Sequence, residues 1–296
     1  EDYRITGGFR ISFDLQSNEF MISYEDLHKR LDHQVVAYRQ GIKSMVGDYY
    51  YKQYANSLFY IMKYPFNKLN SLRLTLTGRY ETYVMAGLND YSLKQKDERH
   101  GWAGVKLEYV FDSSKELCTN LWRGSKVKVF AEYQHRIDKD NKYLFVAGFD
   151  ARKSVKVFRN MTWATRLSGS ANFGTSPLIY YMGGVDNWIF AKFNSDIPID
   201  QTKNYAYQTL ATNMRGFKQN IRNGTSFLLL STELRIPFVQ LIAKRQIANS
   251  FFNSMQLVVF GDVGTAWTGV TPYSKDNSLY TRYITAGDIS AVVKRQ

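Results

Sequence analysis

The sequence predicts an all-β chain and, within that class, a transmembrane antiparallel β-barrel. Three observations lead there. Apolar side chains recur at alternate positions from end to end, which is the period of a strand. The alternating runs are many and often longer than ten residues, against the five or six of ordinary globular sheets. Aromatic residues gather near the ends of the runs, at Tyr49, Tyr64, Trp102, Trp163 and Trp267, where the interfacial girdles of a barrel belong. The face opposite the apolar one carries Arg, Lys, Glu, Gln, Ser and Asn, as a watery lumen requires.

The elements follow in order. Residues 3–15 alternate, with Phe9, Ile11, Phe13 and Leu15 on one face and Arg10, Ser12 and Asp14 on the other. Gln16-Ser17-Asn18 turns the chain, and residues 19–26 return with Phe20, Ile22 and Tyr24 on the apolar side. Residues 33–41 read as a less regular strand, 49–64 as a long aromatic one, and Pro65-Phe66-Asn67 as its turn. Residues 71–85 set Leu72, Leu74, Leu76 and Tyr80 against Arg73, Thr75, Thr77 and Arg79. The charged stretch 87–101 reads as a long surface loop. Strands are then predicted over 102–111, 125–136, 143–157 and 162–173, with a hairpin tip at Asp138-Lys139-Asp140-Asn141. Residues 173–223 form the longest segment without strand character. Two regular strands follow, 225–239 and 254–267, and only residues 237–253 between them suggest a helical turn. About eleven strands are evident. No helix-period segment alternates with them, which argues against a parallel α/β sheet.

Composition agrees and narrows the function. The chain has 296 residues, 22 Tyr, 19 Phe and five Pro. No window approaches eighteen consecutive apolar residues, so no transmembrane helix is predicted. The net charge of +13 raises a nucleic-acid reading. The Lys and Arg are spread through the chain, however, with no basic run, zinc spacing or recognition helix. A basic lumen, or rims that meet anionic lipid, explains the charge without nucleic acid. The single Cys118 excludes an internal disulfide framework and a CxxC metal site. His28, His33, His100 and His135 show no metal spacing, and no nucleophile elbow, P-loop or zinc motif is present. The pairs Glu19/Glu25 and Glu108/Glu132 face the polar side and read as solvated pore lining rather than as catalytic carboxylates. No enzyme, catalytic residue, metal or cofactor is expected.

Two short motifs carry the functional reading. Met214-Arg215-Gly216-Phe217 lies in the irregular segment, and Phe260-Gly261-Asp262-Val263-Gly264 lies two strands later. With these in order, the chain resembles the barrel of the BamA/TamA superfamily, the outer-membrane assembly and two-partner-secretion group also called bacterial surface antigens. The first motif resembles that family's (Val/Ile)-Arg-Gly-(Phe/Tyr) loop motif with Met214 in the first place. The second matches its Phe-x-Asp-x-Gly motif in full. The strand Ser231-Thr232-Glu233-Leu234-Arg235-Ile236-Pro237 is similar to the family's Glu-Leu-Arg-x-Pro segment, and Gly183-Gly184-Val185-Asp186-Asn187 is similar to the start of its sixth extracellular loop. The resemblance covers residues 162–267; the earlier strands agree in pattern only. It implies a sixteen-stranded barrel in the outer membrane of a Gram-negative bacterium, with a periplasmic domain upstream that this sequence lacks. It therefore implies that residues 1–296 are one barrel domain, incomplete at both ends, with 173–223 as a loop inserted into the lumen.

Strand parity bears on the site independently. Leu228, Leu230, Leu234 and Ile236 share the lipid face, which turns Ser231, Glu233 and Arg235 to the lumen. Leu257, Val259 and Val263 do the same in the next strand and turn Asp262 inward. Arg215 is expected to lock the loop by binding Glu233 and Asp262 with its planar fork. Loss of one partner would cost about 3–5 kcal/mol if the pair is buried. Gly216 is expected to permit a sharp turn, Phe217 to wedge the tip against the wall, and Gly264 to complete the motif. The resemblance implies insertion or translocation of polypeptides through a barrel whose lateral seam opens to the bilayer. Its expected partners are outer-membrane lipid and lipopolysaccharide, polypeptide clients, and periplasmic or lipoprotein partners. The alternatives are a barrel that anchors a separate fused enzyme or binding domain, a passive diffusion pore, and a soluble basic β-protein that binds an anionic polymer.

Overall fold

Side chains that alternate in sequence give strands with two unlike faces, and the fold is built from such strands. The computed structural model describes residues 4–13, 17–46, 49–85, 96–118, 121–138, 141–158, 161–185, 192–194, 196–197, 208–243, 255–274, 277, 279–286 and 289–294. In chain order the strands are β1 (Ile5–Phe13), β2 (Ser17–Asp26), β3 (Asp32–Val46), β4 (Tyr49–Pro65), β5 (Asn70–Met85), β6 (Glu98–Asp112), β7 (Lys115–Cys118), β8 (Leu121–Arg136), β9 (Tyr143–Phe158) and β10 (Met161–Gly174). Three short strands follow, β11 (Ile179–Met182), β12 (Gln208–Leu210) and β13 (Arg222–Gly224). Then come β14 (Ser226–Ile236), helix α1 (Phe238–Ala243), β15 (Leu257–Trp267), β16 (Thr281–Ala286) and β17 (Ile289–Lys294). One sheet runs in the order β1-β2-β3-β4-β5-β6-β8-β9-β10-β14-β15, with β7 paired to β8 off this path. Among the described residues, no helix is long and apolar enough to cross a membrane.

The chain divides into two compact units. The first comprises Glu1–Tyr109 and Ala131–Tyr143. Its core is the antiparallel meander β1 to β5, in long unbroken register. Phe9 (82% exposed), Ile22 (67%), Leu58 and Leu76 point outward from one face. So much exposed apolar surface is not that of an ordinary soluble monomer. The polar face of this unit is the better buried one. Glu108 is buried with Arg73 at 3.6 Å and Lys106 at 3.5 Å, and Glu81 is buried 3.2 Å from Arg79. Glu108 is therefore an ion-paired interior group rather than solvated lining. Trp102 departs from the girdle expectation in the same way. It shares parity with Lys106 and Glu108, so it turns inward, is buried, and lies 5.4 Å beneath the Arg79 guanidinium.

The second unit comprises Val110–Phe130 and Leu144–Gln296. Strands β9, β10, β14 and β15 pair in that order, all antiparallel. Leu228, Leu230 and Val263 are exposed on one face; Phe227, Leu229 and Ser231 are buried on the other. That buried face is covered by the segment between β10 and β14. The segment is not irregular throughout: β11 pairs with β12 in parallel and with β13 antiparallel. Three further departures from the sequence reading are seen. Residues 98–101 belong to β6, because Ile137 N donates to Gly101 O at 2.8 Å and His100 Nδ1 meets the Asp138 carboxylate at 3.0 Å. Most of the expected 87–101 loop lies outside the described residues. Strand β14 ends at Ile236 rather than Val239, since Pro237 has no N–H for the ladder, and α1 starts directly after it. Two more strands, β16 and β17, pair as a separate antiparallel hairpin.

The join between loop and wall is closest at Gly224. A Cβ there would lie 2.1 Å from the Trp267 carbonyl carbon and 2.6 Å from its Cα, and backbone cannot yield as a side-chain end can. Gly224→Ala is expected to destabilise the second unit by about 1–3 kcal/mol. Urea unfolding in detergent, followed by the mobility of the folded form, checks this; an unchanged midpoint would show that the join is not tight.

Candidate functional site

The site is assembled from β14, β15 and one turn of the loop. The β14–β15 register sets Leu229 opposite Gly264, Ser231 opposite Asp262 and Glu233 opposite Phe260. On its other side, β14 has Arg166 opposite Ser231 and Ala164 opposite Glu233. These rows lie on one face because strand side chains alternate. Gly264 permits the close approach. A Cβ there would be 2.7 Å from Leu229 Cδ1 and 2.9 Å from Leu228 O.

Two anchors hold the loop over this face. At its neck, the Asn172 side-chain amide donates to Leu178 O (2.8 Å) and Thr225 O (2.6 Å), and its Oδ1 accepts from Leu178 N at 2.9 Å. One buried asparagine thus ties the outgoing and the returning chain. Tyr180 adds a hydroxyl contact to Ser170 at 2.8 Å and an edge-on packing against Phe227 at 4.8 Å. Further along, Gly183 and Gly184 have φ of 104° and 83°. A Cβ on Gly183 would strike Lys218 O at 2.1 Å, so the two sides of the loop touch backbone to backbone. Met214 N donates to Gly184 O at 2.9 Å. Asn220, fully buried with φ 61°, donates to Asn194 O and Ile197 O.

Arg215 sits at the tip of this construction. Its backbone N–H donates to Asp262 Oδ2 at 2.9 Å. Its Nε donates to the same oxygen at 2.9 Å, and its Nη2 to Asp262 Oδ1 at 2.8 Å. This is a fork-to-fork arginine–carboxylate pair with a main-chain bond added. Nη1 donates to Glu233 Oε1. The other oxygen of Glu233 accepts from Arg235 at 2.7 and 2.9 Å. The Arg215 guanidinium lies 3.9 Å from the centre of the Phe260 ring, a stacked cation–π distance. The Asp262 side chain is 1% exposed and that of Arg215 is 26% exposed.

The structure thus brings Arg215, Glu233 and Asp262 together, with Gly264 one step along the same strand. Gly216 follows with φ 83°, and a Cβ there would meet nothing within 4 Å, so the demand on it is conformational. Phe217 does not wedge the tip. It is 40% exposed, whereas Met214, on the other side of the turn, is buried. Sequence reasoning missed the Phe260 platform, the sharing of Glu233 with Arg235, and the asparagines of the loop. The parity argument that placed Asp262 places Phe260 on the same face, so that signal was present. Nothing in the spacing of Asn172 or Asn220 marks them.

Beside the cluster is a cavity of about 550 Å³, lined by Arg215, Glu233, Arg235, Lys126, Arg152 and Arg166 among others. Its cations are already engaged: Arg152 and Arg166 both bind Asp150, at 2.8 and 2.6 Å, and Lys126 binds Asp112 at 2.8 Å. Among the described residues, no group of three or more His, Cys, Asp or Glu is placed to hold a metal ion.

No family model and no curated protein sequence matches the chain. Solved structures do. BamA from Haemophilus ducreyi lacking POTRA domains 1–3 matches with a TM-score of 0.58 and 11% identity over 89% of this chain and 52% of that one. CdiB from Acinetobacter baumannii matches with a TM-score of 0.51 and 12% identity over 90% of this chain and 43% of that one. The chain spans about half the length of these solved chains. At this identity the likeness is one of fold, and the fold is that of the BamA β-barrel.

The Arg215–Asp262 pair is expected to be strongly coupled. A double-mutant cycle of Arg215→Ala and Asp262→Ala, read by urea unfolding in detergent, should give about 2–3 kcal/mol of interaction. Glu233→Gln, which leaves Asp262 in place, should cost only about 1 kcal/mol. Additive single mutants would show that the pair contributes no stability.

Proposed function

We propose that this chain belongs to an outer-membrane barrel that inserts or translocates polypeptides, and that the described part of the segment between β10 and β14 is a lumen loop held in position by Arg215. The observation that carries this is the threefold bonding of Arg215 to Asp262 across 47 residues of chain. A passive pore is the alternative, and the lock is the feature taken to separate the two readings. The fold likeness to BamA and CdiB supports the same reading. The two faces of the strands fit it as well: an apolar exposed face suits lipid, and a buried polar face suits an occupied lumen. Backbone groups in lipid must all be paired, so the sheet is taken to close with strands beyond those described. Outer-membrane lipid and lipopolysaccharide would surround such a barrel, with periplasmic or lipoprotein partners at its inner end. The reading calls for no enzyme chemistry.

Cells in which the full-length protein carries Arg215→Ala are expected to lose the outer-membrane or secreted proteins that the wild type sustains, while the variant barrel still folds. Arg215→Lys keeps the charge without the fork and should fall between. Normal client levels with Arg215→Ala would overturn the lock. The barrel itself is expected to migrate differently in detergent gels before and after boiling; a protein that is monodisperse without detergent would sink the membrane reading.

A further inference from the structure

A groove of about 600 Å³ runs along the apolar face of the first unit. Its floor consists of residues with little or no side chain, Ala37, Gly78 and Gly101, and its walls include Ile22, Leu58 and Tyr80. The register accounts for the shape. Ala37 stands opposite Ile22 on one side and Leu58 on the other, and Leu58 stands opposite Gly78. Small residues thus alternate with large ones across four strands.

Gly78 is the informative position. Glycine within a strand forgoes side-chain packing, and where it occurs it often marks a bulge or the close approach of another molecule. Strand β5 is in unbroken register with β4 there, so Gly78 is not a bulge against β4. It is not one of the glycines with positive φ. A Cβ on it would meet no heavy atom within 4 Å. The space above it is therefore kept open by the sequence rather than filled by the fold.

The apolar lining ends at Arg39, which also borders the groove. Arg39 is exposed, directly opposite Phe20 on β2 and Asn56 on β4, with its guanidinium 5.7 Å from the Tyr54 ring. No carboxylate among the described residues pairs with it. Asn56 lies roughly 27 Å along β4 from the girdle residue Tyr64, at ~3.4 Å per residue. At a tilt of about 40° that is about 20 Å along the membrane normal, against an apolar band of about 25 Å. The long stem of Arg39 then brings its charge to headgroup level, where an arginine is tolerated and where lipid phosphates lie.

We propose that this groove is a lipid site: one acyl chain lies over Ala37 and Gly78, and the phosphate of the same outer-leaflet lipid pairs with Arg39. The assignment rests on the reading of the chain as an outer-membrane barrel. A guanidinium with no carboxylate partner among the described residues, opposite Asn56, fits a phosphate, and the Ala37, Leu58 and Gly78 row below fits a chain of methylenes.

The test uses the full-length protein, folded in neutral detergent, with diphosphoryl lipid A as probe and native mass spectrometry as readout. Wild type is expected to retain one lipid A. Gly78→Leu puts a side chain into the groove from a position whose Cβ meets nothing within 4 Å, and Arg39→Gln removes the charge; each should bind about tenfold more weakly. Inorganic phosphate should not compete. Equal retention by the folded variants, no retention by wild type, or equal retention of a dephosphorylated lipid or of a co-purified peptide would overturn the proposal. Solubility without detergent would instead overturn the membrane reading beneath it.

Discussion

The structure depends on the burial of one carboxylate. Asp262 lies on the covered face of β15 with almost no solvent contact. A charge in that position is tolerated only if it is paired and its oxygens are hydrogen-bonded. The cation on Asp262 does not come from the paired strand β14. It comes from Arg215, on a loop that leaves the sheet after β10 and returns at β14. Much else in the second unit serves to deliver that guanidinium: the Asn172 neck, the crossing at Gly183, the turn at Gly216 and the Phe260 ring beneath. Glu233 and Arg235 extend the network so that charge is balanced on both sides of Arg215.

The first unit solves the same problem without a loop. Its polar face buries Glu108 and Glu81, and each finds arginine or lysine on its own or an adjacent strand. Its apolar face is the one left open. In both units the conventional order of a soluble sheet is reversed, with paired charges enclosed and aliphatic side chains displayed. That inversion, more than the strand count, separates this sheet from a soluble sandwich.

What the sequence made legible follows from how local each signal is. Alternation is set by neighbours two residues apart, so most strands of the large sheet were found, and parity placed Glu233 and Asp262 correctly on one face. The failures are where tertiary context decides. Glu98 to His100 look like loop residues until the Asp138 hairpin is beside them. Trp102 obeys parity and not its aromatic character. The β16–β17 pair had a sequence signal, Gly287-Asp288 between short apolar runs, that a search for long strands passes over. Asn172 and Asn220 bind backbone carbonyls far away in sequence, and no pattern of spacing announces such a partner. Phe217 is expected at the wall from its place in the motif, but the turn at Gly216 leaves it 40% exposed.

The Arg215 cluster depends on strand register as well as on contact. Arg215 precedes both of its acids, and Asp262 follows it by 47 residues. The two acids sit on different strands, so both the β10–β14 and the β14–β15 pairing must be in register for the three charges to meet. A shift of one residue in either pairing would turn the acid to the opposite face. The seated loop therefore depends on the alignment of β14 and β15, and a slip of either strand would separate Arg215 from a carboxylate.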